Sequence, residues 1–94
     1  MNNDVYNQLA TSIIEHQESI IGPVAVEQAK SVQGLNVDWD SKTTTITGAP
    51  MAVIDKLVEQ YKTLFGQISV EVCKEAVGRL GQQLSPDQMP SSLR

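Results

Sequence analysis

The spacing of apolar side chains over the first third of the chain is that of two amphipathic helices. From Asp4 to Ile21 the apolar residues recur every three or four positions, which is the period of one helix face. Gly22-Pro23 interrupts this period, because glycine tolerates the left-handed conformation after a helix end and proline suits the first turn of a new helix. We therefore predict a first helix, a sharp corner and a second helix over residues 23–32.

The period changes to two between residues 35 and 47. Apolar and polar residues alternate up to Trp39, and a β-branched run follows from Thr43. An antiparallel β-hairpin with a loop centred on residues 41 and 42 fits this pattern and has one apolar face. The loop predicts two cross-strand pairs on that face: Trp39 with Thr44, and Val37 with Ile46.

Two more helices are predicted after the hairpin. The third begins at Pro50 and has a broad apolar stripe that ends before Gly66, and the fourth fades near Gly81. The fold class is therefore α+β, in the order helix, helix, hairpin, helix, helix (ααββαα). Residues 1–84 are predicted to form one domain. Residues 85–94, with two prolines and paired serines, are predicted to be a flexible C-terminal tail.

The apolar face of the predicted hairpin must pack against other elements, because a two-stranded sheet alone is only marginally stable in water. One possibility is that the hairpin packs on the helices of its own chain. The other is that it pairs edge to edge with the hairpin of a second copy, which would make a four-stranded sheet across a two-fold axis. The second arrangement predicts a homodimer.

Composition excludes several classes of partner. The 94 residues carry a net charge of −4, and the seven Lys and Arg residues are scattered singly, so no basic stripe is available to bind nucleic acid or an anionic membrane. No stretch approaches the roughly 20 apolar residues that cross a bilayer, and the first residues lack the pattern of a signal peptide. A single Cys cannot form an internal disulfide. We expect a cytoplasmic protein.

Few residues suggest chemistry. His16 has the helical spacing of Ile13 and Ile20, which places it inward or at the rim of the apolar stripe, as a packed histidine or in a pH-dependent interface. Cys73 lies on the apolar face of the fourth helix, where a free cysteine behaves as a small hydrophobe. Asp38 and Asp40 share a strand face without further metal ligands. We predict no enzyme activity, no cofactor and no metal site.

The corner Ile20-Ile21-Gly22-Pro23-Val24-Ala25 carries a resemblance to a known group of proteins. It resembles the Ile-Gly-Pro-Ile/Val-Ala element of small uncharacterised bacterial domains that are often appended to response regulators and Ser/Thr kinases. With the hairpin and the following helices, the similarity would extend from Leu9 to Leu80. This resemblance implies a bacterial regulatory or assembly accessory domain.

The function predicted from these features is a non-enzymatic protein–protein interaction or oligomerisation module. Its partner is expected to be a second copy, as a homodimer, or another protein, and Ile46→Lys is expected to dissociate the assembly. Trp39 is open to two interpretations, a core residue or an anchor for the partner. The interface candidates are Trp39, Thr44, Ile46, His16 and Ile20.

A small-ligand sensor is the alternative function. In that interpretation the first and third helices open an apolar pocket over the hairpin, and His16 or Tyr61 provides a polar contact for an apolar molecule.

Overall fold

The elements of the fold follow one another in the predicted order. The computed structural model describes residues 3–93, and in this range it has four α-helices and one two-stranded antiparallel sheet, which confirms the α+β class. The elements are α1 (Asn3–Ile21), α2 (Val24–Lys30), β1 (Leu35–Asp38), β2 (Thr43–Ile46), α3 (Pro50–Phe65) and α4 (Gln67–Gly81). Two short 3-10 turns, Pro86–Gln88 and Ser91–Leu93, follow α4.

Glycines form the corners at which α1 and α3 end. Gly22 and Gly66 have φ values of +80° and +88°, the left-handed region that favours glycine, and the Gly66 N–H bonds the Lys62 carbonyl at 2.8 Å. Pro23 follows with φ −59°, as expected next to the first turn of α2. Each corner lets two successive helices pack against each other.

Helices α1, α3 and α4 supply most of the buried side chains of the core. The Ser12 hydroxyl donates to the Ala76 carbonyl at 2.6 Å, so the middle of α1 lies against the second half of α4. The Tyr61 hydroxyl donates to the Ala25 carbonyl at 2.7 Å and joins α3 to α2. Burying a large aliphatic side chain stabilises the fold by about 1.5–3 kcal/mol. The fully buried aliphatic residues include Leu9, Ile13, Ile14, Ile54 and Leu57.

The hairpin has the predicted apolar face but a different register. Leu35 lies opposite Ile46 and Val37 opposite Thr44, so both predicted pairs, Trp39 with Thr44 and Val37 with Ile46, are wrong by two residues. The reason is that the loop, residues 39–42, is centred one residue earlier than predicted; in it Lys42 takes a left-handed φ of +56° and donates its N–H to the Trp39 carbonyl at 3.2 Å. A shift of two residues keeps every side chain on its side of the sheet.

The hairpin packs on the helices of its own chain, which is the first of the two predicted arrangements. Thr44 and Ile46 are buried, and β2 lies against α1. Gly34, between α2 and β1, has φ +89°, and a Cβ atom there would lie 2.9 Å from Val53 Cγ2. Only glycine therefore lets the chain pass this close to α3 before β1 begins.

The segment after α4 makes contacts that its composition does not predict. Residues 85–93 follow the helical body, with Pro90 and Leu93 buried. The Tyr6 hydroxyl donates to the Gln88 carbonyl at 2.7 Å, and the Ser92 hydroxyl donates to Asp55 Oδ1 at 2.6 Å. We call residues 85–93 the C-terminal strap; its flexibility in solution stays a prediction.

Candidate interaction surface

Two of the predicted interface residues, Thr44 and Ile46, lie on the buried face of the hairpin, against α1. The Thr44 hydroxyl donates to the Asn7 carbonyl at 2.7 Å and lies 2.7 Å from Thr11 Oγ1. The Ile46 N–H donates to Asn7 Oδ1 at 3.0 Å. Because α1 covers both side chains, a partner would reach them only if α1 moved away from β2.

Trp39, the third candidate on the hairpin, is half-buried and packs against the edge of the core. Its indole N–H donates to both carboxylate oxygens of Glu18, each at 3.2 Å. Lys42 Nζ lies 3.5 Å from Glu18 Oε1 and 4.6 Å from the centre of the indole ring. Such an exposed ion pair and cation–π contact each contribute about 1 kcal/mol or less. Together these contacts attach the hairpin loop to α1 within one chain.

The structure places His16 on the surface and Gln17 in the interior. His16 is exposed, with Nδ1 3.0 Å from the Ser12 carbonyl oxygen, so of its two predicted positions, inward or at the rim of the apolar stripe, the inward one is wrong. Gln17 is buried, and its Nε2 donates to the Ser69 carbonyl at 3.0 Å and contacts Cys73 Sγ at 3.4 Å. Gln17 follows Ile13 by four residues and Ile14 by three, which is the centre of the apolar stripe. That spacing is the signal that our reasoning from the sequence missed.

Cys73 is buried, as predicted, and its surroundings do not activate the thiol. Burial raises the pKa of Cys73 to about 11, although the hydrogen bond from Gln17 acts in the opposite direction. A nucleophilic cysteine needs a lowered pKa or a neighbouring base. Burial also raises the pKa of the Tyr61 hydroxyl. Within residues 3–93, no group of three or more His, Cys, Asp or Glu side chains is arranged to hold a metal ion.

Among the side chains that the structure describes, four large aliphatic ones remain exposed: Ile20 is 63% exposed, Val24 38%, Leu64 49% and Ile68 69%. Gln17 bonds Ser69, so the C-terminal end of α1 lies beside the start of α4. Tyr61 bonds Ala25, so the last turns of α3 lie beside α2. The four residues therefore flank the two glycine corners at one end of the molecule. We call this set of four residues the apolar end.

The apolar end was only partly predicted. Ile20 is among the interface candidates, and His16 precedes it by four residues, so the two are neighbours on the surface of α1. Leu64 belongs to the apolar stripe that the sequence predicts for α3, yet it is 49% exposed. Ile68 lies two residues beyond Gly66, where the third helix was expected to stop.

Grooves on the surface lie away from the pocket that the sensor alternative predicts. One groove of about 450 Å³ runs between the end of α2 and α3, and another of similar volume runs between α1 and β2. Neither is lined by His16 or Tyr61, and the Tyr61 ring is fully buried. Most of the residues that line the two grooves are polar or charged, among them Gln60, Glu59, Thr11 and Glu15.

No helix within the described part of the chain has the length and apolar character needed to cross a membrane. Comparisons with protein-family models, curated proteins and solved structures found no match to this chain. The resemblance of the Ile-Gly-Pro-Val-Ala corner to bacterial accessory domains therefore stays a prediction.

Proposed function

We propose that this chain is a non-enzymatic, cytoplasmic interaction module that forms a homodimer through the apolar end. The observation that carries the proposal is the exposure of Ile20 and Ile68, at 63% and 69%, on the adjoining ends of α1 and α4. Large exposed apolar patches mark protein–protein interaction sites, and these two side chains lie on helix ends that the Gln17–Ser69 hydrogen bond brings together. In a two-fold dimer the same patch of each copy faces its equivalent on the other copy. An uncharged aliphatic patch can face its equivalent without repulsion between like charges.

The size of the apolar end predicts a reversible dimer. Each partly exposed side chain would contribute about 1 kcal/mol when buried, so eight of them from two copies contribute about 8 kcal/mol. Loss of translational and rotational freedom opposes association by about 4–15 kcal/mol. The two contributions are similar in size, so we expect an affinity that is sensitive to each of the four residues.

The interface candidates take different parts in this proposal. Ile20 belongs to the contact surface, and His16 borders it on the same helix. Trp39, Thr44 and Ile46 instead join the hairpin to α1, so they support the fold on which the apolar end is built. The regulatory or assembly role implied by the resemblance would be carried out through the dimer or through a second protein on the same surface.

Light scattering after size-exclusion chromatography tests the proposal over a range of protein concentrations. We expect the wild-type mass to rise towards that of a dimer, and we expect Ile68→Lys to remain a monomer because it places a charge in the contact. Gln8→Lys is the matched control, since Gln8 is exposed on α1 twelve residues before Ile20, about 18 Å away along the helix. A wild-type monomer at every concentration would contradict self-association.

A further inference from the structure

The C-terminal strap is held by its side chains rather than by its own secondary structure. Pro90 is fully buried and Leu93 nearly so, which gives the strap two apolar anchors three residues apart. Between them, the Ser92 N–H and hydroxyl donate to Asp55 Oδ1 on α3, at 3.0 Å and 2.6 Å. Within the strap, the Gln88 and Leu93 N–H groups bond carbonyls three residues earlier. This is the pattern of a short peptide bound in a groove.

The strap occupies one part of a longer groove between α3 and α4. Beside Ser92, about 310 Å³ of the groove is open. Lys62 and Lys74 contribute basic groups there and Glu59 contributes a carboxylate, whereas Val58 and Val70, which also line it, are almost fully buried. The groove therefore continues beyond the strap as a mainly polar surface, while the apolar contacts are those made by the strap itself.

We propose that this groove is a peptide-recognition groove, that the strap is its ligand within the chain, and that the strap of a second copy can replace it. The recognised chemistry is a proline and a leucine three residues apart, with a serine N–H and hydroxyl aimed at Asp55. A strap from a second copy makes the same contacts as the chain's own strap, so exchange loses none of them. This proposal is independent of the apolar end, because it uses different residues.

Competition within the chain explains when exchange occurs. A segment tethered next to its groove has an effective concentration of about 1 mM or more, which keeps a free competitor out. Loosening the strap lowers this competition without changing the groove itself. Leu93→Ser removes one apolar anchor from the strap and leaves Asp55 and the walls of α3 and α4 unchanged.

The test uses the full chain and a fluorescent synthetic peptide of residues 85–93. Fluorescence anisotropy is expected to show at least about tenfold tighter binding to the Leu93→Ser chain than to the wild-type chain, because the tethered competitor is weakened. The control peptide carries Leu93→Ser and is expected to bind at least about tenfold more weakly. Adding Asp55→Ala to the Leu93→Ser chain is expected to weaken binding of the unmodified peptide by about tenfold or more.

Circular dichroism checks that each chain variant keeps its helices. If the Leu93→Ser chain loses helicity, the Ser92→Ala chain replaces it, because this change removes the side-chain hydrogen bond and keeps both apolar anchors. Equal affinity for the two peptides would overturn the proposal. So would the absence of any binding to the loosened chain at about 1 mM peptide, since that concentration matches the tethered strap.

Discussion

Gln17 reaches through the interior from α1 to the Ser69 carbonyl and the Cys73 thiol of α4. A buried amide that lost these partners would destabilise the fold by about 1–3 kcal/mol. Sliding α1 along α4 would separate Gln17 from both acceptors, whereas an apolar side chain would tolerate a small slip. The buried amide therefore favours one alignment of the two helices.

The burial of Gln17 could not be predicted from apolar character along the sequence. Apolar character identifies Leu9, Ile13 and Ile14 as core residues, and all three are buried, but it does not identify the polar Gln17, which is buried beside them. The period of the helix favours Gln17 at the centre of the stripe. Whether an amide can be buried there depends on acceptors from α4, 52 or more residues away in sequence, which no local pattern contains.

Ionisation of Cys73 predicts a loss of stability at alkaline pH. The thiol ionises near pH 9 when unfolded, whereas burial raises its pKa to about 11 in the folded chain. Between these values the folded state retains a proton that the unfolded state releases, so the free energy of unfolding falls as pH rises. We expect a loss of about 1–2 kcal/mol from pH 8 to pH 10 in urea unfolding.

Cys73→Ala provides the comparison for that prediction. The variant is less stable at pH 8 because it leaves a small cavity, but its stability should decline less steeply with pH. Tyr61, whose pKa burial also raises, would account for the decline that remains. Identical slopes for the variant and the wild type would contradict the role given to Cys73.

At the scale of elements, the hairpin is joined to α1 by a set of specific contacts. Asn7 accepts from Thr44 and Ile46 at one part of β2, and Glu18 accepts from Trp39 at the loop. The alternating pattern was sufficient to predict two strands and their apolar face. The register could not be predicted from it, because a left-handed Lys42 makes a four-residue loop that preserves the same alternation.

This arrangement changes the expected effect of Ile46→Lys. The side chain is buried against α1, so a lysine there would place a charge in the core and unfold the chain rather than separate two folded copies. We expect a loss of about 3 kcal/mol or more in urea unfolding. Thr45→Lys is the control, because Thr45 is exposed on the opposite face of the same strand, and it should change stability by less than about 0.5 kcal/mol.

At the scale of the whole molecule, the two glycine corners gather the ends of all four helices. The order of elements followed from local signals, chiefly Gly22-Pro23, the change of period and Pro50. The position of the strap did not, because Pro90, Ser92 and Leu93 are placed by contacts with α3 and by burial in the core. The composition of residues 85–93 predicts an isolated segment without stable structure. The contacts of Ser92 with Asp55 and the burial of Pro90 and Leu93 hold it in place.

Dimerisation through the apolar end predicts that thermal stability depends on protein concentration. A partner that binds only the folded state shifts the unfolding equilibrium by mass action, so the wild-type Tm should rise as concentration increases. Ile68→Lys should show the same Tm at every concentration, since it cannot form the contact. Differential scanning fluorimetry over a hundredfold range of concentration measures both. A concentration-independent wild-type Tm would contradict the dimer.

The amide of Asn7 has a consequence for what happens when many copies are crowded together. The Asn7 Oδ1 atom accepts a hydrogen bond from the backbone N–H of Ile46 in β2. This strand is rich in threonine, and its sequence is of the kind that favours cross-β growth. Fibrils grow when such a strand offers free backbone donors and acceptors as a template to the next chain. Because the Asn7 side chain takes one of these donors, we expect it to hinder edge-to-edge growth from the folded protein.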